Sequence, residues 1–197
     1  VVVNSSFALD TIEQMNISGG DGNNVIDVSA VSLSTFPNLM GITINGGDGA
    51  DSIIGSDIDD LISGGNGNDT ISGGIGTDEL HGNDGNDSID GGDGDDSLGV
   101  NLNSPREDGN DTLNGENGDD LISAGSGTDS VTGGVGDDVL NGGSGNDRMF
   151  GNDGIDVMNG DSGNDSMLGS TGDDVMSGGD GNDTLNGEDG LDALNGG

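Results

Sequence analysis

Of 197 residues, 39 are Asp or Glu and only 2 are Lys or Arg, a formal charge of -37, and Gly supplies 44. With 27% hydrophobic residues and neither Trp nor Tyr, such a chain in plain water has little apolar surface to set against its self-repulsion and reads as disordered. The same balance excludes nucleic acid and anionic membrane surfaces as partners, because neutralising phosphate needs basic residues; it points instead to polyvalent cations.

Cysteine is absent, so the chain has no disulfide framework and no thiolate metal site. No apolar run approaches the length that spans a membrane, so membrane insertion is not expected. The chain opens on Val1 and closes on Gly196 and Gly197, the first two places of a further repeat. It is read as a segment of a longer protein with attached domains.

In chain order, "TIEQMNIS" and "GITIN" alternate apolar and polar residues and predict short strands. Residues 19–27 are a weak copy of a motif that becomes regular later, with Asn24 where Asp then recurs. The 18 residues 28–45 lack the motif; eighteen is twice nine, so they are expected to form one full coil without metal loops. Residues 1–45 are read as a β-helical start that caps a repeat array, since repeat stacks need a terminal cap.

From Gly46 to residue 197 the array runs in nines: Gly, Gly or Asn, any residue, Gly, any residue, Asp, any residue, an aliphatic, any residue. Position 6 is Asp51, Asp60, Asp69, Asp78, Asp87 and Asp96. Six residues, 100–105, then interrupt, and the count resumes at Arg106 with Asp111, Asp120, Asp129, Asp138, Asp147, Asp156, Asp165, Asp174, Asp183 and Asp192. Position 8 is aliphatic or Met throughout, from Ile53 to Leu194. An unstructured acidic tail would not hold this phase. At the interruption "SLGVNLN" extends the alternation and "SPRE" makes a protruding loop at about 100–107, read either as a tolerated insertion or as a docking bump.

The residue types explain the spacing. Gly at positions 1, 2 and 4 permits tight turns that aim carbonyl oxygens inward, and Asp at position 6 adds a carboxylate. These are hard oxygen ligands, suited to the flexible 6–8 coordination of Ca²⁺ and less to the strict octahedron of Mg²⁺. Zn²⁺ would want His or Cys. Positions 7–9 form a short strand whose position 8 points inward while 7 and 9 point out. One nonapeptide makes a half-turn, and two close an 18-residue coil with two facing parallel sheets around a thin aliphatic core.

"GGNGNDTIS" (64–72) and "GGDGNDTLN" (178–186) meet the pattern GGxGxDxUx at every fixed place. The chain thereby resembles the RTX (repeats-in-toxin) family, strongly over residues 46–197 and weakly over 19–27. The resemblance implies an all-β fold, a right-handed parallel β-roll, with each Ca²⁺ held between loops two repeats apart. One loop would offer the carbonyls of positions 1 and 3 and its Asp, the other the carbonyls of positions 2 and 4 and its Asp. Asp69 with Asp87, Asp78 with Asp96, and Asp138 with Asp156 would each share an ion. The backbone ligands so implied come from Gly64, Gly65, Asn66 and Gly67; Gly73, Gly74, Ile75 and Gly76; Gly82, Asn83, Asp84 and Gly85; and Gly91, Gly92, Asp93 and Gly94. Beyond the interruption they come from Gly133, Gly134, Val135 and Gly136; Gly142, Gly143, Ser144 and Gly145; Gly151, Asn152, Asp153 and Gly154; and Gly160, Asp161, Ser162 and Gly163. Four pairs precede the interruption and eight follow it, roughly a dozen ions, with room for two further pairs across the interruption. Ile58 at position 4, Ala124 at position 1 and Arg106 with Glu107 at positions 1 and 2 depart from the pattern, and only the loop at 106–111 is expected to suffer seriously.

Position 7 alternates by repeat. Ser52, Thr70, Ser88, Thr112, Ser130, Arg148, Ser166 and Thr184 make a polar set; the other reads Leu61, Glu79, Ser97, Leu121, Val139, Val157, Val175 and Ala193, with an apolar run from Leu121 to Ala193. On opposite sheets, the second set would form an outer stripe, read as plain β-propensity or as a surface for self-association. Met149, Met158, Met167 and Met176 occupy position 8 and are read as core. His81 sits at position 9, facing out, as a bystander. "GDSGN" (160–164) looks like a serine-nucleophile segment but is repeat positions 1–5, with no general base within reach. No enzymatic activity is expected.

The family resemblance implies a calcium-binding module of a secreted bacterial protein, disordered in the low-calcium cytosol and folding outside the cell during type I export. A calcium-stiffened spacer in an adhesin or surface layer is the alternative.

Overall fold

The computed structural model describes residues 13–99 and 109–197. Residues 1–12 and the expected loop at about 100–107 lie outside the described residues. Nineteen short strands alternate between two sheets, and no helix occurs among the described residues. The first sheet has ten strands, from Met15–Asp21 to Ala193–Asn195; the second has nine, from Val25–Asp27 to Thr184–Asp189. Each strand pairs in parallel with the strand two places along the chain, so the fold is a β-solenoid with one strand of each sheet per turn.

The register is the nonapeptide doubled. Thr70 pairs with Ser88 and Val139 with Val157, 18 residues apart. At the interruption Ser88 pairs with Thr112 and Ser97 with Leu121, so both sheets continue across it.

The N-terminal step corrects one expectation. Residues 28–41 contain no strand, and Met15 pairs with Ile42 and Val25 with Ser52, both 27 residues apart. The 18-residue stretch therefore adds no coil of its own. It enlarges one coil by nine residues, and the excess is a turn-rich excursion whose Val28 and Leu39 are buried in the core, with Val31 and Phe36 packed against it. Burying those apolar residues removes them from water without a further strand. The strands within residues 13–45 join the same two sheets as the array.

Position 8 makes the core. Ile53, Ile71, Ile89, Leu113, Val131, Met149 and Met167 from one sheet meet Ile44, Ile62, Leu80, Leu98, Ile122, Leu140, Met158 and Met176 from the other, all fully buried. Positions 7 fall on opposite outer faces, and Leu121, Val139, Val157 and Val175 are half-exposed neighbours in one column. His81 departs from its expected setting: it stands on an outer face but is buried, with Nε2 3.1 Å from Glu79 Oε1.

Candidate metal sites

The loops joining the sheets lie along two edges of the solenoid. The first edge carries Asp51, Asp69, Asp87, Asp111, Asp129, Asp147, Asp165 and Asp183; the second carries Asp60, Asp78, Asp96, Asp120, Asp138, Asp156, Asp174 and Asp192. From Asp51 to Asp174 none of these is more than 4% exposed. From Asp69 and Asp78 onward each carboxylate reaches back one coil, its Oδ1 accepting the backbone N–H of the preceding Asp on the same edge. Asp69 donates to Asp87 at 2.8 Å, Asp78 to Asp96 at 2.8 Å and Asp138 to Asp156 at 2.9 Å, so the structure brings together each pair predicted to share an ion. The interruption does not break the ladders, because Asp87 donates to Asp111 and Asp96 to Asp120, both at 2.8 Å.

The second oxygen is different. In Asp51, Asp69, Asp78, Asp87, Asp96, Asp120, Asp129, Asp138, Asp147, Asp156, Asp165, Asp174 and Asp183 it is buried and receives no hydrogen bond from the chain. Except in Asp129, whose loop has Ala124 there, each such Oδ2 lies against the α-carbon of the position 1 glycine in its own loop, where a Cβ on Gly64, Gly73, Gly82, Gly133 or Gly151 would overlap it. The carbonyl of the next coil's position 1 opens onto the same spot: a Cβ on Gly73 would stand 2.6 Å from Gly91 O, and one on Gly160 2.6 Å from Gly178 O. Glycine here keeps open a cradle of carboxylate and carbonyl oxygens. Among described residues only Ala124 places a methyl at position 1.

Positions 2 and 4 stack carbonyls along the edge. A side chain on Gly65 or Gly67 would run into the carbonyl of Gly47 or Gly49 one coil back. Gly85, Gly145 and Gly163 at position 4 have φ of 139°, 145° and 142°, a conformation open essentially to glycine. Position 2 is more tolerant, with Asn83, Asn152 and Asp161 at φ of 74°, 79° and 66°. At position 3 the side chains of Asn66, Ile75, Asp84, Asp93, Val135, Ser144, Asp153 and Ser162 are exposed, so only their backbone faces the loop interior.

The donor set is thus all oxygen, two carboxylates and stacked carbonyls per pair of loops, which fits Ca²⁺. No cluster of three or more His, Cys, Asp or Glu side chains poised for a metal occurs among the described residues, which argues against a site built from side chains alone. Electrostatics agree. Burial pushes the carboxyls of Asp78, Asp87, Asp129 and Asp138 up to about 7, and those of Asp96, Asp120 and Asp156 up to about 6, against the hydrogen bond from the preceding Asp. Like charges add to this; Asp95 and Asp119 both raise Asp120.

The loop at 55–60 is built otherwise. Asp60 Oδ2 accepts the Ser56 N–H at 2.7 Å and stands 3.0 Å from the Ser56 hydroxyl, while Ile58 turns its side chain into the core. Asp60 is buried like its neighbours, yet the chain itself satisfies it. Of the loop at 106–111, Arg106 and Glu107 lie outside the described residues; Asp111 sits in its ladder, donating to Asp129 at 2.8 Å.

Sequence reasoning left position 5 free, and the structure gives it a task. Its side-chain oxygen accepts the backbone N–H of position 5 one coil on. On the first edge Asn68, Asn86, Asn110, Asn146 and Asn164 do this at 2.7–3.1 Å, and Asn23 caps Ala50 likewise. On the second edge Asp59, Asp95, Asp119, Asp137 and Asp173 do it at 2.8–3.1 Å. The available signal was the run of Asn or Asp before the ligand Asp, as in "GNGND" and "GENGDD".

A family model for the RTX calcium-binding nonapeptide repeat, spanning four copies, matches residues 16–30, 45–80, 72–99, 107–140, 132–167, 141–176 and 168–197. No curated protein matches the chain. With the nonapeptide register, the two aspartate ladders and a family match over most of its length, the chain belongs to the RTX calcium-binding repeat family.

Proposed function

We propose that this calcium-binding repeat array is a folding switch: a module of a secreted bacterial protein that is disordered where calcium is scarce and folds where it is abundant. The carrying observation is the set of buried, unmatched Oδ2 atoms. An unmet buried polar group costs about 1–3 kcal/mol, and a charged one more. Thirteen of them, even at the low end, rival the roughly 5–15 kcal/mol by which a domain is stable. Ionised and without a cation, the roll does not hold, so folding is coupled to metal binding.

Extracellular calcium modules work at Kd on the order of 10⁻⁴–10⁻³ M, a range that separates cytosol from exterior. Folding at the exit would hinder return of the chain through a type I exporter and help attached domains fold. The module is proposed to be non-enzymatic, since calcium-held carboxylates are poor general acids or bases and His81 is buried beside Glu79. Far-UV circular dichroism during a calcium titration, with magnesium as control, tests the switch. A cooperative coil-to-β transition specific to Ca²⁺ supports it, and full β-structure in chelator at neutral pH refutes it.

The column Leu121, Val139, Val157 and Val175 favours a second reading, a calcium-stiffened spacer that self-associates along one sheet. Replacing Val139 and Val157 by Thr would then abolish concentration-dependent sedimentation in calcium. A dimer surviving that change removes the stripe as its interface.

A further inference from the structure

The two edges do the same structural work at position 5 with different charges. Asn86 accepts the Asn110 N–H at 2.7 Å on the first edge, and Asp119 accepts the Asp137 N–H at 2.9 Å on the second. An amide oxygen and a carboxylate oxygen are interchangeable in that bond, so the fold does not require the difference. The residues are nevertheless sorted: among described residues the first edge has Asn and no Asp at position 5, the second Asp and no Asn.

The contrast is sharpest in the C-terminal half. Three consecutive loops of the first edge, 124–129, 142–147 and 160–165, carry no carboxylate at position 3 or 5. The facing loops 115–120, 133–138 and 151–156 carry Asp119, Asp137 and Asp153 there. All three are exposed at the rim; Asp119 and Asp137 directly precede Asp120 and Asp138, and Asp153 shares its loop with Asp156, whose buried Oδ2 is unmatched like theirs. A rim carboxylate deepens the potential felt by an entering divalent cation without being one of its ligands.

We propose that the roll is two unequal calcium ladders, the Asp-backed second edge filling at lower calcium than the Asn-backed first edge. This rests on the calcium-binding reading and adds an order of loading to it. A surface charge acting on a divalent ion across one loop changes affinity by about three- to tenfold at low salt, and the effect fades as salt screens it.

The test uses the full chain and calcium alone. Amide resonances of Gly118 and Gly136 report the second edge, and those of Gly127 and Gly145 the first. Equilibrium dialysis gives the total number of ions bound. In the parent chain the second-edge glycines should reach their calcium-bound positions at about three- to tenfold lower calcium. The isosteric triple change Asp95→Asn, Asp119→Asn and Asp137→Asn keeps the position 5 acceptor and should erase the gap. The mirror change Asn86→Asp, Asn110→Asp and Asn146→Asp should close it from the other side, and both effects should shrink at high salt. Calcium binding with the two edges titrating together in all three chains overturns the loading order and leaves the calcium-binding reading standing. A parent chain that binds no calcium overturns both.

Discussion

Asp138 Oδ1 accepts the backbone N–H of Asp120 at 2.8 Å, while Asp138 Oδ2, equally buried, receives no hydrogen bond from the chain. One oxygen of the carboxylate stitches consecutive coils together, and the other is aimed at something the chain does not supply. On the proposed reading, this repeated division of labour along both edges makes the fold conditional on a cation.

Asp138→Asn separates the two tasks, since the amide retains an Oδ1 acceptor and loses the charge. It should lower the calcium stoichiometry and raise the folding midpoint, with a local loss of about 1–3 kcal/mol. Asp60→Asn should leave the stoichiometry unchanged, because Ser56 already satisfies Asp60. Equilibrium dialysis of the two variants side by side checks the pair, and equal losses would contradict the distinct role of the 55–60 loop.

The cradle predicts opposite effects of one methyl group. In Gly151→Ala the Cβ overlaps Asp156 Oδ2 and stands 2.9 Å from Gly169 O. It should weaken calcium binding at the second edge and destabilise the loaded roll by about 1–3 kcal/mol. Ala124→Gly reopens the equivalent space beside Asp129 and should lower the calcium midpoint. Calcium-dependent thermal melts of both variants decide this.

Protons should imitate calcium. The folded carboxyls of Asp78, Asp87, Asp129 and Asp138 are raised to about 7 from the ordinary 3.8, so folding takes up protons. Their contribution to the metal-free fold is fully present below the unfolded value and is lost as pH rises through about 6 to 7. In chelator, β-structure should therefore grow as pH falls from 8 toward 4. With calcium present, the folding midpoint should move to lower calcium on acidification below 7, because protons also favour the fold while the unfolded carboxyls stay ionised above about 4. Circular dichroism across pH, with and without chelator, measures both.

The methionine stack tests the thin core. Met158 is 1% exposed and lies in register with Leu140 and Met176. Met158→Ala should cost about 2–5 kcal/mol in the calcium-loaded state, seen as an earlier melt with the number of bound ions unchanged.

Much of this was legible in the sequence, for a physical reason. In a solenoid the neighbours of residue i are residues i ± 18, so a nine-residue period carries its long-range contacts in local form. The inward aliphatics from Ile53 to Met176, the Asp69–Asp87 and Asp78–Asp96 pairs, and the opposite outer columns at position 7 all follow from counting. What broke the count needed the tertiary structure. Residues 28–41 enlarge a coil rather than adding one, with Val28 and Leu39 buried in the core. Asp60 reads as one more ligand until Ser56 is seen folded onto it. His81 is buried although its register places it on an outer face. The position 5 ladders emerge only when the side chain of Asn86 is placed against the backbone of Asn110. Periodicity determines which residues become neighbours; only the folded backbone decides which donor meets which acceptor, and which carboxylate oxygen is left for a metal.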